Sequence, residues 1–230
     1  MPARPATRSH PRPTAPARRA AARPARAAEP PATDDKRSAI LAAALLLFGR
    51  YGYRRTSIDD LARETGIAKG TVYLYFATKE QIFRALCDLV MARVLAEAER
   101  AAATTAPLAE RLRRVLAAKF DYFHELLHGS PHAGELLDSG NRVSADVFRQ
   151  ADRAYLRIVE RTIAAAAARG ELARARARLS AAAAADLLVA SAHGAEADAG
   201  AAASPRVFRR RLDDLVTVIV VALGGDAAAD

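Results

Sequence analysis

The sequence predicts an all-α protein in which a small N-terminal helix-turn-helix domain of three helices joins a larger C-terminal helical bundle. Three observations carry that expectation. After Pro31 apolar residues recur at spacings of three and four, and Val, Ile and Thr never alternate with polar residues over a strand's length. The three later prolines, Pro107, Pro131 and Pro205, each stand where a helix can begin, and Ser130 and Ser204 precede two of them as candidate caps. Only Gly66-Ile67-Ala68 separates two short periodic segments, which is the length and glycine content of a helix-turn-helix.

Residues 1–33 come first and differ from the rest. Eight of the eleven prolines fall in the first 31 residues, and seven arginines stand there against Glu29 alone. So little apolar area cannot offset the entropy of ordering, so the segment reads as a disordered Arg/Pro/Ala-rich tail. It is a candidate basic arm with salt-sensitive affinity for phosphates.

The helices follow in order. The first, about 34–51, places Ile40, Ala44, Leu47, Phe48 and Tyr51 on one stripe and stops at Gly52. The second is expected to start with Thr56 as cap and Asp59 three residues on, running through Ile58, Leu61 and Ala62 to Gly66. The third lies in GIAKGTVYLYFATKE, residues 66–80. The fourth begins at Thr78, with Gln81 at the capping-box position. Longer helices are expected over 107–128, 144–169, 180 to about 192 and 204–223, with a short one over 131–137. The domain boundaries follow as 1–33, 34–81 and 82–230.

Composition narrows the partners. The formal net charge is +9 and the isoelectric point is near 10.3, which favours acidic partners such as nucleic acid. A single cysteine, Cys87, leaves no internal disulfide framework and fits a reducing compartment. No apolar segment directly follows the N-terminal arginines, and the strongly apolar run 215–223 is far below the roughly 20 residues that span a bilayer. The expectation is a cytoplasmic protein with no membrane partner.

On a helical wheel Val72 and Phe76 of the third helix share one side and should pack on helices one and two. Gly70, Thr71 and Leu74 lie on the far side, Tyr73 and Tyr75 on its flanks, and Lys69 at the start. Small residues let a backbone approach base edges in a DNA major groove, and phenol hydroxyls on the flanks reach phosphates of both strands. Lys79 and the Thr56 hydroxyl would reinforce the phosphate contacts. The apolar Leu74, in the middle of that edge, could meet a thymine methyl or nothing.

Residues 38–83 resemble the DNA-binding domain of the tetracycline-repressor (TetR/AcrR) family of transcriptional regulators. The residues that carry the resemblance are Ile40, Ala44, Phe48, Gly52, Tyr53, Thr56, Ser57, Ile58, Ala62, Gly66, Lys69, Gly70, Thr71, Tyr73, Tyr75, Phe76, Lys79 and Glu80. The resemblance implies DNA contacts at Thr56, Lys69, Gly70, Thr71, Tyr73, Tyr75 and Lys79. Ala68 departs from it, since many members carry a serine there, and so does Leu74, often polar or aromatic. The family further implies a homodimer on a palindromic double-stranded DNA operator and a small-molecule effector bound in the C-terminal domain, with repression the commonest outcome.

The C-terminal half is less explicit. The segment 204–223 is apolar on more than one face, and the helix before it is rich in small residues. Leu187, Leu188, Phe208, Leu212, Leu215, Val216 and Ile219 are therefore candidates for a dimer interface. Phe120, Phe123, Leu127, Leu137 and Tyr155 are candidates for lining a ligand pocket.

One rival reading is an enzyme. His124-Glu125-Leu126-Leu127-His128 fits H-E-x-x-H, the zinc-peptidase pattern. A third ligand is not evident, His132 sits at the wrong spacing, and the two histidines lie off the Phe120-Phe123-Leu127 stripe, as on a polar helix face. Ser130, Ser139 and Ser180 lack a His and carboxylate partnership, and no glycine-rich phosphate loop occurs. His193 is expected at an interface or in solvent. The sequence thus predicts a regulator, neither an enzyme nor the holder of a cofactor or metal.

Overall fold

A computed structural model of the chain describes residues 33–128, 132, 143–173, 179–199 and 204–225. Among these there are eight helices and no strand. They are α1 (Thr33–Tyr51), α2 (Ile58–Thr65), α3 (Lys69–Tyr75), α4 (Lys79–Ala102), α5 (Leu108–His128), α6 (Ala145–Ala168), α7 (Ala181–Ala199) and α8 (Pro205–Ala222). The N-terminal tail and the short helix expected over 131–137 lie outside the described residues.

Local chemistry sets the helix ends. Gly52 and Gly66, with φ of 89° and 69°, take the left-handed conformation that ends α1 and α2. The cap of α2 is one residue later than the sequence reading placed it. Ser57 accepts from the Asp60 amide at 3.2 Å, and the Asp60 carboxylate accepts from the Ser57 amide at 2.9 Å, a complete capping box. The Thr56 hydroxyl instead turns inward and donates to the Gly52 carbonyl at 2.9 Å. Thr78 caps α4 as expected, accepting from the Gln81 amide.

Two hydrophobic clusters form the core, and α4 belongs to both. Its first half (Ile82, Phe83, Leu86, Cys87, Met91, Val94) packs with Ile40, Phe48 and Leu61 from α1 and α2 and with Val72 and Phe76 at α3. Its second half enters the other cluster at Ala98, among α5, α6, α7 and α8. The boundary expected between residues 81 and 82 therefore falls inside one unbroken helix. The first cluster also takes Phe123 from α5 and Val147 and Ala151 from α6. Burying a side chain the size of Phe123 or Val147 contributes about 1.5–3 kcal/mol, so part of the stability of the N-terminal helices rests on the C-terminal ones.

Ion pairs lock the same joint. The Arg84 guanidinium of α4 grips the Asp146 carboxylate of α6 with bonds of 2.8 and 2.5 Å. Further along, Arg161 donates to Glu99 at 2.5 Å. The two pairs are spaced alike on both helices, so α4 and α6 run parallel and in register.

Two cations lie inside the apolar stripe of α5. Arg111 is buried, grips Glu171 beyond the end of α6 with bonds of 2.9 and 2.8 Å, and donates to the Ala106 carbonyl at 2.9 Å. Lys119, also buried, donates to Asp152 of α6 at 2.7 Å and meets His193 Nε2 of α7 at 2.9 Å. Buried charges are tolerated only when paired in this way.

The dimer-interface expectation needs correction. Leu188, Phe208, Leu212, Val216 and Ile219 are core side chains of their own chain, because α8 lies over α5 and α7 and spends that face internally. Leu215 is half-buried. Leu187 is 49% exposed, and the outward apolar residues that the sequence reading overlooked are Val207, Val218 and Val221.

The Asp146 carboxyl is held at about 2, below its ordinary 3.8, chiefly by the hydrogen bonds from Arg84. A depressed carboxyl stabilises the fold above its unfolded value, and that contribution is lost as pH falls toward the folded one. Melting temperature should accordingly drop more steeply between about pH 4 and 2 for the native chain than for Asp146→Asn.

Candidate nucleic-acid interface

The helix-turn-helix is assembled from inside outward. Val72 is fully buried and Phe76 nearly so, which fixes α3 against α1, α2 and α4. The Arg37 guanidinium of α1 lies 5.3 Å from the centre of the Phe76 ring and covers its outer side. Ala68 stands at the N-cap with no side-chain bond to offer, so only its carbonyl serves the first turn, accepting from Thr71 at 2.8 Å and Val72 at 3.2 Å. α3 is thus held by packing rather than by a cap.

What remains outside is an edge of unlike side chains. Lys69, half exposed, donates to the Asp59 carboxylate of α2 at 2.8 Å, a pairing that raises the ammonium's pKa. Asp59 is available for this bond because Asp60, not Asp59, completes the capping box. Gly70 is exposed, Thr71 half-buried, Tyr73 47% exposed and Leu74 84% exposed. Tyr75 departs from the expected symmetry: its ring packs on the N-terminal cluster and is only partly accessible.

Two residues expected at phosphates have internal partners. Thr56 is buried, and its hydroxyl donates to Gly52 and, at 3.3 Å, to Leu47. Nothing of that side chain faces outward. The Lys79 ammonium donates to the carbonyls of Tyr53 at 2.9 Å, Thr56 at 3.0 Å and Arg54 at 3.4 Å, and sits 4.5 Å from the centre of the Tyr53 ring. Lys79 therefore ties the turn between α1 and α2 to the start of α4. It can reach a phosphate only by releasing that turn.

Tyr53 completes the clamp. Its ring contacts Phe48 and Phe83 at 5.3 and 4.7 Å. Burial first, and the nearby Glu80 charge second, push its hydroxyl up to about 12, so it stays a neutral phenol.

The ligand-pocket candidates do not come together. Phe120 and Tyr155 belong to the C-terminal cluster, whereas Phe123 belongs to the N-terminal one. The Tyr155 hydroxyl donates to the Val115 carbonyl at 2.7 Å, and Phe120 packs edge-on against Phe208 and His193. All three are core side chains, as apolar stripes at helical spacing commonly are. Leu137 and the side chains of Leu127 and His128 lie outside the described residues.

Sequence reasoning missed a polar cluster beside them. His193 faces inward rather than toward solvent or an interface: its Nδ1 lies 3.0 Å from the Val189 carbonyl while Nε2 meets the Lys119 ammonium. A ring that donates through Nδ1 and accepts through Nε2 is neutral. Burial first and Lys119 second lower its pKa, and burial raises that of Glu196 nearby. A signal was present, since Lys119 continues the spacing of Leu112, Val115 and Phe123 and so had to face inward.

The zinc-peptidase pattern dissolves on the same helix. His124 is buried and stacked on Phe208, at 5.2 Å and 14°, because α8 covers the side taken for a polar face. Glu125 is 74% exposed and lies 3.8 Å from Arg209. The two look into different surroundings, and no group of three metal-ligating side chains occurs among the described residues.

A buried-anchored third helix with a mixed polar and apolar outer edge, following α2 across a short glycine-containing turn, is the arrangement of a helix-turn-helix. Residues 40–86 match the model of the bacterial regulatory proteins of the tetR family. It is 30% identical over 88 residues to the HTH-type transcriptional regulator YhgD of Bacillus subtilis, covering 38% of this chain and 46% of YhgD. It is 40% identical over 63 residues to EthR of Mycolicibacterium smegmatis, covering 27% and 29%. The chain thus spans less than half the length of these two relatives. Fold similarity reaches further: SmeT, the repressor of the Stenotrophomonas maltophilia multidrug efflux pump SmeDEF, matches with a TM-score of 0.64 at 22% identity, over 84% of this chain and 93% of SmeT.

Loss of the Lys79 clamp should destabilise the N-terminal helices. Hydrogen bonds to a charged donor contribute about 1.5–3 kcal/mol. Lys79→Met should lower the unfolding free energy by about 2 kcal/mol, read from the shift of a urea midpoint at constant slope.

Proposed function

We propose that this protein is a transcriptional repressor that binds a palindromic double-stranded DNA operator as a homodimer and lets go when a small molecule binds its C-terminal helices. The observation that carries the reading is α3: buried through Val72 and Phe76, open along Lys69, Gly70, Thr71, Tyr73 and Leu74. In this reading Lys69 and Tyr73 meet phosphates, which position the helix, while Thr71 and Leu74 face base edges, which specify sequence. Tyr75 contributes its exposed rim. Thr56 and Lys79 act through the fold, by holding the turn that sets α2 and α4 beside α3.

A dimer is needed to read two half-sites about one helical turn apart. The exposed stripe of Leu187 on α7 with Val207, Val218 and Val221 on α8, and half-buried Leu215 between, supplies an apolar face for it. An effector is supported by the family and by a structural neighbour, SmeT, which has been solved as a triclosan complex. Coupling has a physical route. Because α4 is shared by both clusters, a shift of α5 or α6 in response to a ligand moves Phe123, Val147 and Ala151 against the helices that carry α3.

Selection of bound fragments from random DNA should recover an inverted repeat; random recovery would overturn the assignment. Val218→Glu should shift the chain from dimer to monomer in light scattering and weaken operator binding more than tenfold. Lys69→Ala should weaken binding to all sequences alike and lower the salt slope by about one.

A further inference from the structure

Within the proposed DNA edge, Gly70 has no explanation inside the chain. It lies in the first turn of α3 without a left-handed φ, and a Cβ built on it would meet nothing within 4 Å. Neither backbone conformation nor packing excludes a side chain. Glycine in a helix is nonetheless unfavourable relative to alanine, by about 1 kcal/mol. Leu74 is the matching anomaly: at 84% exposed it is the most exposed large apolar residue among those described, and it adds little to the fold.

The two stand four residues apart, so they share one face of α3 a single turn apart. A leucine side chain on a helix leans toward the N-terminus, over the turn before its own Cα. Leu74 therefore leans toward the bare backbone of Gly70, with Thr71 three residues before it on the adjoining side. The result is a shallow, open notch on the outermost edge of the helix, floored by the Gly70 backbone, with nothing within 4 Å of where a Cβ would stand and with Leu74 and Thr71 as the neighbouring side chains on that face.

We propose that this notch selects thymine by accepting its 5-methyl group. The inference rests on the reading of α3 as the helix that enters the major groove. Thymine is the one standard base that presents a methyl group there; at the same position cytosine carries only a hydrogen, and the purines offer N7 and their exocyclic donors or acceptors. A polar base edge pressed on Leu74 would lose its water with no hydrogen bond in return. The methyl has the size that a missing Cβ leaves free.

The test begins with the inverted repeat selected from random DNA by the full-length protein, each thymine of which is replaced in turn by uracil. This removes the methyl and leaves pairing intact. One symmetry-related pair of replacements should weaken binding about fourfold per half-site and about fifteenfold together, the change expected from losing burial of one methyl group each. Leu74→Ala should bind thymine and uracil operators alike. Gly70→Ala should do the same while melting at a higher temperature than the native chain, because it fills the notch with a better helix former. A repeat in which no uracil replacement is felt overturns the notch and leaves the regulator standing. Discrimination retained in both variants also overturns it, since the methyl would then be read elsewhere. Failure to recover any repeat overturns the notch and the reading of α3 together.

Discussion

The uninterrupted helix α4 is the constraint on which the rest of this structure depends. Its first half is the floor of the helix-turn-helix domain and its second half belongs to the core of the C-terminal bundle. Close packing makes each half a poor absorber of displacement, so a change in one cluster is passed on rather than dissipated. The parallel pairing with α6, through Arg84 to Asp146 and Glu99 to Arg161, keeps the helix from turning independently of its neighbour.

The interior of the C-terminal bundle is unusual in how it is filled. Arg111 and Lys119 occupy positions where an apolar residue would pack, and each needs a specific partner from another helix or loop. Such pairs add little net stability over apolar replacements, since desolvation offsets their attraction. They do penalise misregistered packing, because any arrangement that separates the partners strands a charge. His193, neutral between Lys119 and a backbone carbonyl, adds α7 to the same arrangement.

In the helix-turn-helix the outer edge of α3 is separated cleanly from its supports. Val72, Phe76, Thr56, Tyr53 and Lys79 face inward and hold geometry. Lys69, Gly70, Tyr73 and Leu74 face outward. A residue type does not reveal which group it belongs to: a lysine and a threonine in a DNA-binding motif invite a phosphate contact, and here both bind backbone carbonyls. Lys79 reaches them across more than twenty residues of chain.

The sequence by itself determined the helical class, most helix boundaries among the described residues, the buried side of α3 and the helix-turn-helix. Those features depend on local rules: helical periodicity, caps, left-handed glycines, and a run of residue types dense enough to mark a family. The tertiary structure alone decided which apolar residues of α8 are core and which are surface, since a helix apolar on several faces carries no sign of which face its own chain will cover. It also decided that Phe120 and Phe123, neighbours on one stripe, serve different cores. Likewise, it sent Thr56, Lys79, His124 and His193 inward, because the partners that received them lie on other turns and helices that no local spacing could point to.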